Sequence, residues 1–256
     1  MLGLGLHIAK SSGASPAGVE PIMAADPRVW YNENSLILPV NQYADSYIDQ
    51  SGNNLSIQQP DPAKQAQIVD DGTGKKILYF TNDSLFESDL PVLSGNTDFT
   101  VLYAGAELAA YHTAIFIGDD DIPSDTSSFR LGRSNYNALR AIVGFNVAGG
   151  GFNTPYSFET NGTSDIAYAY KRGQGSSDIY IGLDNGTVAQ QTQFPNNTFD
   201  LVFGDGFGIG TNNPDDPSAT GTGAGWFLFE VLVYDRALTD IELAQTRQYL
   251  REKWNI

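Results

Sequence analysis

Cysteine is absent from this chain and histidine appears only twice, as His7 and His112. Disulfide scaffolds, thiol nucleophiles and cysteine-bound zinc are therefore excluded, and two distant imidazoles are too few for a histidine-rich metal centre. Long apolar runs are missing too: no stretch approaches the ~20 residues that a membrane-spanning helix needs. The opening Met1-Leu2-Gly3-Leu4-Gly5-Leu6 has no basic n-region and is interrupted by His7 and ended by Lys10, so no cleavable signal peptide is expected. Positive charge is scarce, with 14 Lys and Arg against 30 Asp and Glu, a formal net charge of −16. Such a field repels phosphate backbones and anionic lipid surfaces, so neither nucleic acid nor membrane insertion is expected.

The chain is instead rich in 27 Gly, 13 Tyr and 14 Phe, a balance that favours strands and turns over solvated helices. Its 256 residues suffice for one large all-β domain. Residues 1–27 are small and Gly-, Ala- and Ser-rich, with Pro16 and Pro21, and are expected to form an extended N-terminal arm or linker. Leu2, Leu4 and Leu6 alternate and would let that arm add a short strand to a neighbouring subunit.

From Trp30 onwards, short apolar runs recur between turn clusters, the spacing of many antiparallel strands. Strands are expected over 35–38, 76–80, 99–103, 113–117, 141–145, 166–170, 178–183, 199–203 and 226–234. Asn185-Gly186 suits a tight hairpin with positive φ, so the strands beside it should pair directly. In 226–234, strict alternation places Phe227, Phe229, Val231 and Val233 on one face, and Trp226, Leu228, Leu232 and Tyr234 with Glu230 on the other. Thr239-Asp240-Ile241-Glu242 is a capping box, and Leu243, Leu250 and Trp254, with Arg247 between them, form the apolar stripe of a C-terminal helix. The glycine-rich run 204–210 has no following Lys-Ser/Thr and is read as a turn.

The segment Phe229-Glu230-Val231-Leu232-Val233-Tyr234-Asp235-Arg236-Ala237-Leu238-Thr239, with Glu242 and the closing Gln248-Tyr249-Leu250-Arg251-Glu252-Lys253-Trp254, resembles the ending of concanavalin A-like lectin/glucanase domains, especially laminin G-like ones. Trp30-Tyr31, Asp49-Gln50-Ser51-Gly52-Asn53-Asn54 and Phe99-Thr100-Val101 extend the resemblance over residues 28–256. It implies an all-β, antiparallel two-sheet jelly-roll sandwich with a C-terminal α-helix. Members of that family mostly bind glycans or proteins, and a minority cleave polysaccharides. The first six residues also resemble the start of many bacteriophage virion proteins that carry such domains.

Glycoside cleavage requires two carboxylates flanking the sugar bond. The Glu-x-Asp-x-x-Glu strand of the laminarinase-like branch is absent: Glu87-Ser88-Asp89 is followed at the required position by Val92. The Gln-x-His and Tyr-Phe-Lys patterns of the lyase branch are absent as well, Tyr79-Phe80 being followed by Thr81. The expectation is therefore a protein that is not an enzyme. Sugar recognition draws on aromatic faces and on Asn, Asp or Arg side chains. The candidates are Arg130, Arg133, Asn135, Tyr136 and Asn137 in one polar-aromatic stretch, with Tyr156 after the Gly-rich turn. Laminin G-like domains often hold calcium at the sandwich rim, and the acidic loops bearing Asp119 and Asp121, and Asp215 and Asp216, are the candidate ligands; no other cofactor is indicated.

The leading expectation is a virion structural or receptor-facing component, multicopy or homo-oligomeric, virion-bound or extracellular. It would dock to other virion proteins through its arm and present the sandwich to cell-surface glycan. A free bacterial carbohydrate-binding lectin module is the alternative, and a polysaccharide-active enzyme with an unfamiliar site the third.

Overall fold

The computed structural model describes residues 23–81, 84–88, 91–93, 98–107, 112–118, 127–135, 138–147, 151–161, 165–172, 178–184, 189–193, 206–210 and 225–256. Among them the strands form two antiparallel sheets, of nine and eight strands. The first runs in space as β15 (Ala189–Gln193), β14 (Asp178–Asp184), β13 (Ile166–Arg172), β8 (Phe99–Glu107), β17 (Trp226–Tyr234), β6 (Lys76–Phe80), β5 (Ala66–Asp70) and β2 (Tyr43–Ala44). A short β1 (Val29–Tyr31) pairs with the second half of β17. The other runs as β12 (Gly151–Asn161), β11 (Ala138–Val147), β10 (Ser127–Asn135), β9 (His112–Gly118), β16 (Phe207–Ile209), β7 (Phe86–Ser88), β4 (Ile57–Gln58) and β3 (Ser46–Tyr47). The one α-helix among the described residues, α1 (Asp240–Trp254), follows β17. The all-β sandwich with a C-terminal helix is the architecture expected. No helix among the described residues is long and apolar enough to cross a membrane.

Two apolar layers hold the molecule. Val101, Ile115, Phe129, Ile181, Phe207 and Val233 belong to the larger one, between the sheets. The ring of Phe80 stacks on Trp226 and that of Tyr31 on Tyr47, each at 4.7 Å between centroids. The smaller layer lies between the nine-stranded sheet and α1 and contains Leu102, Tyr168, Leu232, Leu243, Leu250 and Trp254. Leu243, Leu250 and Trp254 are the stripe expected from the helical spacing.

Strand β17 departs from strict alternation. A register shift between Leu228 and Glu230, opposite Gly105 and Ala104 of β8, inserts one extra residue. Trp226, Leu228, Val231 and Val233 consequently face the inter-sheet core, whereas Phe227, Phe229, Leu232 and Tyr234 face the helix side. The expected two faces are thus exchanged on one side of residue 229, because a bulge re-aims everything beyond it. A Cβ on Gly105 would run into the Phe227 carbonyl oxygen, so glycine is what lets β8 approach the bulge.

The bulge puts Glu230 under α1. This carboxylate is fully buried and accepts hydrogen bonds from Trp30 Nε1 at 2.6 Å, Trp254 Nε1 at 2.7 Å and the Tyr249 hydroxyl at 3.0 Å. Lys253 Nζ lies 3.0 Å from it and 2.8 Å from Glu33. Burial pushes the Glu230 carboxyl up from its ordinary value, against the opposing pull of Lys253 and the indole donors.

The capping box forms as expected: Thr239 Oγ1 accepts from the Glu242 amide while Glu242 accepts from the Thr239 amide at 2.8 Å. The helix ends at Asn255, which takes the left-handed conformation at φ 54°. Arg172 bonds Asp240 at 2.7 Å, and Arg247 and Arg251 both pair with the buried Asp184 of β14.

The remaining strand expectations divide by position. Residues 35–38 are not a strand: Asn32 and Ser35 cap one another around a 3-10 turn over Glu33–Ser35. A turn is expected over 204–210, but Phe207–Ile209 within it form β16, paired with β9 and β7. Strands β14 and β15 pair directly across the Asn185-Gly186 position, as anticipated. The expected strand over 199–203 lies outside the described residues, as do Leu2, Leu4 and Leu6. Of the expected arm, residues 23–27 are described; Ala24 is buried, donating to Thr246 Oγ1 at 2.9 Å and accepting from the Tyr234 hydroxyl at 3.1 Å. The Asp49–Asn53 turn ties this start to the body. Asp49 accepts from the Trp30, Ser51 and Leu55 amides, and Asn53 Nδ2 donates to the Arg28 carbonyl.

Replacing Glu230 by Ala strands two indole N–H groups, while the Lys253 ammonium keeps Glu33 as its carboxylate partner. The change should cost about 2–5 kcal/mol in denaturant unfolding, at roughly 1–3 kcal/mol for each unsatisfied donor; a loss under about 1 kcal/mol would show that those donors are satisfied without it. The Arg236 fork and the Thr239 cap hold Glu242 down to about 2. Because its folded value lies below that of the open chain, its stabilisation is present above pH 4.5 and is lost as pH falls towards 2. Glu242→Gln should therefore shrink the acid loss of Tm between pH 4.5 and 2; an unchanged slope would contradict the assignment.

Candidate functional site

Register aligns one cross-strand row over six strands of the eight-stranded sheet: Gln58, Glu87, Gly208, Phe116, Arg130 and Ile142, on β4, β7, β16, β9, β10 and β11. Its sequence neighbours Phe86, Phe207, Ile115, Ile117, Phe129 and Leu131 lie in the inter-sheet core. Because side chains alternate, the row belongs to the outer face, and at the usual strand spacing it spans about 24 Å.

Its centre is a cation laid on an aromatic ring. The Arg130 guanidinium sits 5.4 Å from the Phe116 centroid, and Phe116 is itself only 2% exposed. Such a contact is worth about 0.5–2 kcal/mol depending on desolvation, comparable with the ~2 kcal/mol of rotamer freedom that an arginine carries. The ring therefore goes a long way towards fixing the direction of the guanidinium. A guanidinium is a planar donor group that suits hydroxyl or carboxylate oxygens. Gly208, on one side of Phe116, and Gly132, two residues beyond Arg130, are both buried. In backbone register Gly132 stands opposite position 140 of β11, and position 140 opposite position 159 of β12.

Three of the sugar-binding candidates lie on β10. Arg130 is in the central row, Arg133 is opposite Leu139 and His112, and Asn135 is the last residue of the strand, opposite Ala138 across a register shift. Tyr156 on β12 pairs with Val143, in the row of the core residue Phe129, one row away from Arg130. Tyr136, Asn137 and the calcium candidates Asp119, Asp121, Asp215 and Asp216 lie outside the described residues. Among the described residues, no three His, Cys, Asp or Glu converge as metal ligands would. Phe116 was not anticipated as part of a site, since in an unbroken Ile115-Phe116-Ile117 run it reads as ordinary core.

No family model and no curated protein matches the chain. Solved structures do. A GH54 α-L-arabinofuranosidase soaked with a cyclic sulfate inhibitor superposes with a TM-score of 0.57 at 9% identity, over 91% of this chain and 60% of the other. An arabinofuranosidase complexed with arabinofuranosyl-α-1,2-xylobiose gives 0.56 at 10% identity over the same shares. Domain 4 of AbnA, a GH43 extracellular arabinanase from Geobacillus stearothermophilus in complex with arabinotriose, gives 0.50 at 14% identity, over 87% of this chain and 98% of that domain. What is shared is the β-sandwich fold. The chain spans about 60% of the length of the arabinofuranosidases.

These findings correct the expectation that the protein is not an enzyme. That expectation rested on single-strand motifs from two branches of the fold, yet the structures that share the sandwich over nine-tenths of this chain are arabinofuranosidases. Reacting groups on such a fold are drawn from different strands and loops, which a motif on one strand does not sample.

Proposed function

We propose that the chain is a glycan-binding β-sandwich of the laminin G-like kind that takes a neutral, arabinose-containing polysaccharide on the outer face of the eight-stranded sheet. The observation that carries this reading is the Arg130–Phe116 pair at the centre of that face. The guanidinium, held over the ring, donates to sugar hydroxyls. The likeness to an arabinanase domain in complex with arabinotriose supports the choice of ligand at the level of fold alone.

Hydrolysis of the bound glycan is a second reading, favoured by the arabinofuranosidases that share the fold. Glu87 in the central row and Glu159 beside Arg140 are the carboxylate-bearing positions that register places on this face. They stand five strands apart, roughly 24 Å at the usual spacing, so a catalytic pair would recruit a second acid near one of them. We also propose display on a virus particle, suggested by the resemblance of the first six residues to the start of virion proteins. Clustering there would add avidity to weak sites.

Affinity electrophoresis in gels cast with arabinan or arabinoxylan tests the proposal. The protein should be retarded, and Arg130→Ala should weaken retardation at least several-fold while its circular dichroism stays that of the folded wild type; equal retardation of the variant would remove Arg130 from the site. Release of arabinose from the same polysaccharides, or of nitrophenol from a nitrophenyl arabinofuranoside, would establish the hydrolytic reading.

A further inference from the structure

The outer face of the nine-stranded sheet is only partly taken by α1. At its far end, register sets Tyr43, Gln67, Tyr79 and Phe227 side by side on β2, β5, β6 and β17. Tyr43 is 56% exposed, and the other three are half-buried. Tyr79 packs on Phe227 with ring centroids 5.0 Å apart and planes tilted by 37°. Its ring also lies over the backbone of Gly225, in the space that a Cβ there would need. Tyr79 thus leans across β17, between Phe227 and Gly225, and stays partly exposed. The row runs ring, amide, ring, ring over four strands, a width of about 14 Å.

In a chain of net charge −16, this strip carries no charged residue. A polyanion gains nothing from it and is repelled by the surrounding field. An uncharged chain whose rings present C–H faces to stack and hydroxyls to bond matches it: tyrosine faces take the apolar side of a sugar, and the Gln67 amide both donates and accepts. We infer that this strip is a second carbohydrate-binding surface, on the sheet opposite Arg130, for an uncharged, extended polysaccharide. It adds to the glycan-binding reading without depending on Arg130.

The test compares wild type, Tyr43→Ala, Tyr79→Ala, Tyr79→Phe and Arg130→Ala in gels containing arabinan, xylan or mixed-linkage β-glucan, with polygalacturonate as the polyanion. Losing one stacking face should weaken retardation in at least one uncharged polysaccharide by roughly five-fold. Tyr79→Phe should bind like wild type, Arg130→Ala should keep the tyrosine-dependent part, and polygalacturonate should show no tyrosine dependence. Tyr43 is exposed, so its variant should keep the wild-type Tm, and its binding reports on the strip rather than on folding. Retardation unchanged by Tyr43→Ala overturns the proposal. If Arg130→Ala alone abolishes binding, the glycan reading stands and the strip does not; if no polysaccharide retards the wild type, both fall. Should Tyr43→Ala alter only sedimentation, the strip is a contact between copies of the chain and the inference is wrong.

Discussion

Everything around the C-terminal helix depends on where the Glu230 carboxylate is held. An ionised carboxylate moved into a protein interior loses several kcal/mol of hydration even after relaxation, and here two indole N–H groups, a tyrosine hydroxyl and an ammonium replace the lost water. Those donors come from both ends of the chain: Trp30 from β1, and Tyr249, Lys253 and Trp254 from the last two turns of α1. One side chain on β17 thereby fixes the register of the first strand, the bulge in the last and the seat of the helix. The β17 bulge is what brings Glu230 to the helix side next to Phe229, whose ring stacks on Trp254 at 5.4 Å.

The consequences reach the surfaces available for binding. With α1 seated on β13 and β17, the middle of the nine-stranded sheet is committed to packing, and Tyr168 and Tyr170 beneath it are buried. Arg130 on the eight-stranded sheet stays at least partly exposed, as does the far end of the nine-stranded one, at Tyr43, Gln67 and Tyr79. They differ in chemistry: the first centres on a guanidinium over a ring, the second on uncharged rings and an amide.

Much of the fold was legible because its signals are local. The Thr239–Glu242 box and the Leu243, Leu250 and Trp254 spacing specify α1 without tertiary help, and the direct pairing of β14 with β15 is the one that the Asn185-Gly186 dipeptide predicts. Signals that depend on distant partners were hidden. The β17 bulge follows from the approach of Gly105, some 120 residues away in sequence, and no alternation pattern contains it. The apolar stretch 35–38 looked like a strand, but the reciprocal Asn32–Ser35 cap turns the chain there first. The 204–210 glycines read as a turn, although Phe207 and Ile209 flank Gly208 as a buried strand. Of the site, Arg130 stood out by its polar-aromatic surroundings, while Phe116 was concealed within core-like sequence. The chemistry was least legible, since sandwiches with unrelated roles share the same strand pattern.

Backbone amide exchange measured with and without an arabinan oligosaccharide bears most directly on the central claim that the eight-stranded sheet presents the glycan site. Slowed exchange on β9, β10 and β16 around Phe116, Arg130 and Gly208, with α1 unchanged, is the result expected. Slowing confined to α1 and the Glu230 junction, or nowhere on that sheet at saturating oligosaccharide, would contradict it.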